Sequence, residues 1–127
     1  MILQITSDPI DPSDGYGKIS SERAGSVVYH YAVVKKQSGA GGETSCIEYK
    51  SCGETDEELA AIAAKIKRVG EIDDLLLIRR VGCLGIGDII SLVAASSPNS
   101  EDAFAACRQG IALLKKMTTI RKSEVYK

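Results

Sequence analysis

The stretch that most constrains the fold is SVVYHYAVV, at residues 26–34. Its β-branched and aromatic residues favour a strand, and both faces of that strand would be apolar. Such a strand must be covered on both sides or lie in an interface between chains. We therefore expect a central strand, followed by a polar, glycine-rich connection at 35–45 and a second strand at 46–50 that forms a hairpin with the first.

A first amphipathic helix is predicted to follow this hairpin. Thr55 and Glu58 have the spacing of a capping box, and Gly70 is a typical residue just beyond a helix end. Apolar residues recur between them at helical spacing, at Leu59, Ile62, Ala63 and Ile66.

A second amphipathic helix is predicted in the C-terminal third. Asn99 or Ser100 can cap its beginning, and it is expected to end near Met117, where a β-branched run at 118–120 favours an extended chain. Its predicted buried stripe consists of Phe104, Cys107, Ile111 and Leu114.

The remaining segments supply more strands. A brief strand, turns and a short helix are expected at the start, and two strands at 74–80 and 88–96 flank a glycine-rich turn. The order of elements predicts an α+β fold in which a mostly antiparallel sheet packs against helices. With 127 residues, the chain is expected to form a single domain over 1–127.

The composition argues against several classes of protein: membrane proteins, metal-binding proteins and enzymes with a catalytic triad. The chain has no run of eighteen apolar residues and no secretory signal pattern, so we expect a cytoplasmic protein that does not enter membranes. Its four cysteines form no CxxC pair, and His30 is the sole histidine, so no metal site is expected. A catalytic triad would have to use His30, which is better explained as a strand residue.

Basic residues concentrate at the C-terminal end. Residues 114–127 contain five basic side chains and one acidic one, although the whole chain carries a net charge of −1. Such a patch can hold phosphates, but its small total charge is unlike that of a nucleic-acid-binding face. Lysines at a helix end also stabilise the helix dipole, which is an alternative explanation for the patch.

Five segments together resemble the large, catalytic subunit family of molybdopterin synthase. That family's motifs GAVVTFTGxVR, LEYE, HRxGxLxxGE, AFEACRxAIDxLK and PxWKKE are matched in order. The matching segments are GSVVYHYAVVK at 25–35, IEYK at 47–50, RRVGCLGIGD at 79–88, AFAACRQGIALLK at 103–115 and TIRKSE at 119–124.

The resemblance implies a function as well as an α/β hammerhead-like fold. The family transfers sulfur to precursor Z, a cyclic pyranopterin monophosphate, and thereby makes molybdopterin for molybdenum cofactor biosynthesis. The sulfur donor is a small ubiquitin-like subunit whose C-terminal Gly-Gly end carries a thiocarboxylate. The resemblance also implies a homodimer with one such partner at each end, without a metal or organic cofactor.

The same motifs imply the site residues. Lys115 and Lys122 match the family lysines and are the predicted catalytic residues, with cations also serving to bind phosphate and stabilise oxyanions. Lys35 stands where the family has arginine. The predicted substrate-binding residues are Val33, Val34, Lys35, Asn99, Ser100, Ser123 and Glu124.

Several positions depart from the family pattern. Asn99 and Ser100 replace a His-Arg pair, so a proton-transferring imidazole and a guanidinium are missing there. Arg79 replaces a histidine and Arg121 a tryptophan, and either of them, or Arg80, could supply the lost cation. The chain is thus an active, divergent synthase subunit, an impaired paralogue that keeps the fold and partner binding, or a generic anion-binding module.

Overall fold

The structure is a computed structural model that describes residues 1–20, 22–36, 38–39 and 42–126. Its helices are α1 (Pro12–Tyr16), α2 (Thr55–Lys67) and α3 (Ser100–Lys115). Its strands are β1 (Ile2–Thr6), β2 (Ser26–Val33), β3 (Ser38–Gly39), β4 (Gly42–Ser51), β5 (Asp74–Arg80), β6 (Gly82–Leu84), β7 (Ile89–Ser97) and β8 (Ile120–Tyr126). The predicted α+β class is confirmed.

The first sheet has the strand order β1-β5-β7-β2. β1 runs parallel to β5, and the other two pairings are antiparallel. β2 therefore lies at the edge of this sheet, and its prediction as a central strand was wrong. Consistent with this edge position, the side chains of Val27, Tyr31 and Val33 are exposed in the described chain. The apolar pattern correctly identified a strand but could not show which strands flank it.

The second sheet has the strand order β3-β4-β6, with β8 on the other side of β4. The predicted hairpin between 26–34 and 46–50 was wrong, because β2 pairs with β7 while β4 pairs with β3, β6 and β8. The expected extended segment after α3 is confirmed, and it is the strand β8. A disulfide between Cys46 and Cys83, which the sequence did not predict, joins β4 to β6.

The largest core lies between the first sheet and the helices α2 and α3. Phe104 was predicted to be part of it but is exposed. α3 instead buries Ala103, Ala106, Cys107, Gly110 and Leu114. A Cβ atom at Gly110 would lie 2.9 Å from Cγ1 of Val93, so glycine allows α3 to approach β7 closely.

The predicted capping box of α2 was also wrong. Glu54 is the N-cap, without a side-chain capping bond, and Thr55 is the first helical residue. The carboxylate of Glu58 instead accepts hydrogen bonds from the backbone N–H and hydroxyl groups of both Thr118 and Thr119. Glu58 thereby attaches the beginning of α2 to the segment that joins α3 to β8.

Within the described ranges, no helix is long and apolar enough to cross a membrane.

Candidate active site

A cavity of about 500 Å³ opens where the two sheets meet the C-terminal end of α3. Its volume falls within the range of roughly 300–1,000 Å³ that is common for small-molecule sites. The residues that line it are Ala32, Val33, Val34, Lys35, Ile47, Tyr49, Arg79, Ile90, Ser91, Ile111, Leu114, Lys115 and Lys122.

The backbone next to Lys35 is attached to the turn before β7. The N–H of Val34 donates to the carbonyl of Asp88 at 3.0 Å, and the N–H of Gly87 donates to the carbonyl of Val34 at 2.8 Å. The side chain of Val34 is buried with Ile47, Tyr49 and Leu84. This anchoring holds Lys35 at the cavity while its own side chain stays exposed.

The other two predicted lysines reach the cavity from different elements. Lys115 is the last residue of α3, and Lys122 lies on β8 directly opposite Tyr49 of β4. The chain reverses between them at the Thr118-Thr119 segment that Glu58 holds. This reversal brings Lys115 and Lys122 to the same cavity.

Arg79 forms a buried wall of the same cavity. Its residue is 6% exposed, its guanidinium lies 4.3 Å from the ring centroid of Tyr49, and its Nη1 donates to the carbonyl of Ile90 at 3.3 Å. Burial lowers the pKa of the guanidinium, although the Tyr49 side chain partly offsets this by favouring the charged form. Arg79 thus joins the two sheets and adds a fourth cation to the site.

The cavity is electrostatically one-sided. Its charged lining residues among those described are Lys35, Arg79, Lys115 and Lys122, and none of the described lining residues is an aspartate or glutamate. Apolar residues such as Val34 form much of the remaining lining. Cations in such surroundings attract anions more strongly than they would in bulk water.

The other predicted substrate-binding residues are not brought to this cavity within one chain. Asn99 and Ser100 lie at the opposite end of α3, roughly 22 Å from Lys115 at the rise of an α-helix. The side chain of Asn99 caps the helix by accepting from the N–H of Asp102 at 2.8 Å. Ser123 and Glu124 follow Lys122 on β8 but do not line the cavity. Their assignment to substrate binding stays a prediction.

Sequence reasoning did not assign Tyr49 or Ser91 to the site, and it considered Arg79 only as one of three possible substitute cations. A signal for Tyr49 existed, because it alternates with Ile47 on the apolar face of β4. Ser91 lies opposite Arg79 in the first sheet. That proximity depends on strand register, which the sequence alone did not provide.

No group of three or more histidine, cysteine, aspartate or glutamate side chains suited to a metal ion occurs in the part of the chain that the structure describes.

Comparisons with known proteins agree with the sequence resemblance. Residues 5–117 match a family model described as MoaE protein. A molybdopterin synthase catalytic subunit from Bacillus subtilis (strain 168) is 27% identical over 125 residues, which cover 98% of this chain and 79% of that protein.

Solved structures show the same fold. The crystal structure of molybdopterin synthase from Staphylococcus aureus matches with a TM-score of 0.87 and 27% identity, covering 98% of this chain and 91% of that one. A protein–protein complex of subunits 1 and 2 of the molybdopterin-converting factor from Helicobacter pylori 26695 matches with a TM-score of 0.76 and 17% identity. That match covers 99% of this chain and 86% of the other, and it supports the fold alone.

Proposed function

Since the chain belongs to the MoaE protein family, we propose that it is the catalytic subunit of a molybdopterin synthase. The predicted role in molybdenum cofactor biosynthesis is confirmed by this membership and by the relatives' names. The proposed reaction is the transfer of sulfur from a thiocarboxylated small subunit to precursor Z.

One observation carries the proposal most directly. Lys35 lies just beyond β2, Lys115 ends α3 and Lys122 lies on β8, yet all three line one cavity, and none of its described lining residues is acidic. Three cations from distant parts of the chain are hard to explain by the dipole of a single helix. Their convergence suits a reaction in which both the substrate and the sulfur donor are anions.

Each lysine has a chemical task in this proposal. Lys115, at the end of α3 beside the apolar Leu114, neutralises the charge of the thiocarboxylate or holds an acyl adduct with it. Lys122 assists from the facing strand and stabilises developing negative charge. Lys35 attracts the substrate phosphate as a point charge, without the two-pronged hydrogen bonding of arginine.

The proposed assembly has a small ubiquitin-like partner whose Gly-Gly tail enters the cavity. In the Helicobacter pylori structure, two subunits of the molybdopterin-converting factor form a protein–protein complex, and we propose the same kind of assembly for this chain. We further propose a homodimer, which the exposed apolar side chains of Val27, Tyr31 and Val33 on the edge strand β2 support. The cytoplasm is the proposed location.

Reconstitution tests the function. The purified chain, mixed with thiocarboxylated small subunit and precursor Z, should produce molybdopterin above the level of the small subunit alone. Absence of product above that control would refute the proposal.

The residues at the beginning of α3 support a second candidate function, that of a non-catalytic paralogue. Asn99 and Ser100 lack the imidazole and guanidinium of the family pattern, and Asn99 is already engaged in capping α3. A paralogue that binds the small subunit without catalysis would therefore bind its partner in the same experiment and produce no molybdopterin.

A further inference from the structure

Arg79 is a buried cation whose hydrogen-bonding capacity is mostly unused by the described protein. A guanidinium has five N–H donors, yet Nη1 has one long bond to a carbonyl, the Tyr49 side chain supplies the other favourable contact, and Nε has no partner among the described residues. Among the described residues, no carboxylate lies within 4 Å of it. Burying a charge without a counter-charge is costly, so this arrangement indicates that an anion completes the site.

The neighbours of Arg79 show where that anion binds. The guanidinium lies over the Tyr49 ring, 4.3 Å from its centroid, and both residues line the cavity. Lys35, Lys115 and Lys122 are exposed, whereas Arg79 is 6% exposed. Of the described lining residues, Arg79 alone carries a guanidinium, and a planar guanidinium can bind two oxygens of one anionic group at once.

We propose that Arg79 is the residue that binds the phosphodiester of the substrate at the buried wall of this cavity. This inference rests on the proposed function, in which a cyclic phosphate and a thiocarboxylate both enter the site. The exposed Lys115 and Lys122 suit the tail of a partner that arrives and leaves with each turnover, and Lys35 attracts the phosphate toward the cavity. The buried guanidinium suits the small ligand that must enter completely.

The inference can be tested by binding alone. The probes are 3′,5′-cyclic GMP, which carries a cyclic phosphodiester on a fused heteroaromatic base, and an acetylated hexapeptide that ends in Gly-Gly with a free carboxylate. Dissociation constants would be measured by calorimetry for the wild type, Arg79→Met and Arg79→Lys. Arg121→Met is the matched control, because it removes one exposed cation on β8 that does not line the cavity.

We expect Arg79→Met to weaken cyclic GMP binding by about tenfold or more while changing peptide binding little. Arg79→Lys keeps the charge but loses paired hydrogen bonds, so its affinity should be intermediate. It also keeps the test decisive if Arg79→Met does not fold. Arg121→Met should change cyclic GMP affinity less than about threefold, because exposed charges are screened.

Several outcomes would overturn the inference. These are a wild type that binds no cyclic GMP, equal cyclic GMP affinity of the wild type and the Arg79 variants, an equal loss in Arg121→Met, or a loss confined to the peptide. Failure of the proposed function can be distinguished from failure of this inference. A wild type that binds cyclic GMP through Arg79 but makes no molybdopterin would refute that function and leave the anion site in place.

Discussion

Replacing Glu58 by glutamine should lower the free energy of unfolding by about 2 kcal/mol, because this carboxylate holds the reversal between α3 and β8. One oxygen accepts from the N–H and hydroxyl of Thr118 at 2.9 and 3.1 Å. The other accepts from the N–H and hydroxyl of Thr119 at 3.0 and 2.6 Å. Four donors thus converge on one side chain.

The magnitude follows from the number of hydrogen bonds that a glutamine at this position can still accept. Its carbonyl oxygen can serve one threonine, but its NH₂ group then faces two donors of the other threonine. About two hydrogen bonds are lost, at roughly 1 kcal/mol each for this half-buried position, and hydroxyl rotation relieves part of the donor–donor contact. The result is about 2 kcal/mol.

The same contacts make stability depend on pH. Burial raises the pKa of Glu58, but the hydrogen bonds from Thr119 and Thr118 together outweigh it, so that the pKa lies below its ordinary value of 4.5. A group with a lowered folded-state pKa contributes stability above its unfolded-state pKa. That contribution is lost as the pH falls from about 4.5 through the folded-state pKa.

Urea unfolding followed by circular dichroism measures these effects. Glu57→Gln is the matched control, because Glu57 is an exposed carboxylate in the same first turn of α2. Both variants lose one favourable charge at the helix N-terminus, and only Glu58→Gln loses the threonine contacts. Equal stability of the two variants at pH 7, or an unchanged acid sensitivity in Glu58→Gln, would refute this role of Glu58.

Two further predictions concern α3 and the cysteines. Because the Asn99 side chain caps the helix, Asn99→Ala should lower the free energy of unfolding, measured in urea, by about 1 kcal/mol. Asn99→Ser should restore most of that loss. Equal stability of the wild type and both variants would contradict the cap. In the folded, non-reduced protein at pH 8, iodoacetamide should label exposed Cys52 and spare Cys107, since burial raises the pKa of the Cys107 thiol to about 11. Comparable labelling of both cysteines by mass spectrometry would contradict the burial of Cys107.

Signals between residues close in sequence predicted much of the fold. The periodicity of α2, the Asn99 cap and the extended segment after α3 all depend on contacts or preferences within a few residues. Interactions between distant residues were missed. Glu58 has the spacing of a capping box with Thr55, but threonines some 60 residues away offer four donors, and this outcome depends on how α3 is placed.

Burial on α3 illustrates a second limit. Helical periodicity assigned Phe104 to the core, whereas the close contact of α3 with β7 selects small residues such as Gly110. In the candidate site, too, local motifs were predictable and contacts between distant residues were not. Motif matches identified Lys35, Lys115 and Lys122, which share a cavity, but the burial of Arg79 against Tyr49 depends on how the two sheets meet.

The central claim is that the cavity with Lys115 and Lys122 is the active site of a molybdopterin synthase. The most direct test compares the rates of molybdopterin formation by Lys115→Ala and Lys116→Ala in the reconstituted system. Lys116 is also exposed but points about 100° further around the helix axis and is not among the residues that line the cavity. Neither substitution should change the free energy of unfolding by more than about 0.5 kcal/mol.

We expect Lys115→Ala to lose about a hundredfold or more in rate, as happens when a charge-stabilising group is removed from an active site, and Lys116→Ala to stay within about twofold of the wild type. Equal rates of the two variants would contradict the account, because the basic patch would then act only as a generic surface charge. Unfolding of Lys115→Ala would contradict it as well, since the lysine would then be structural.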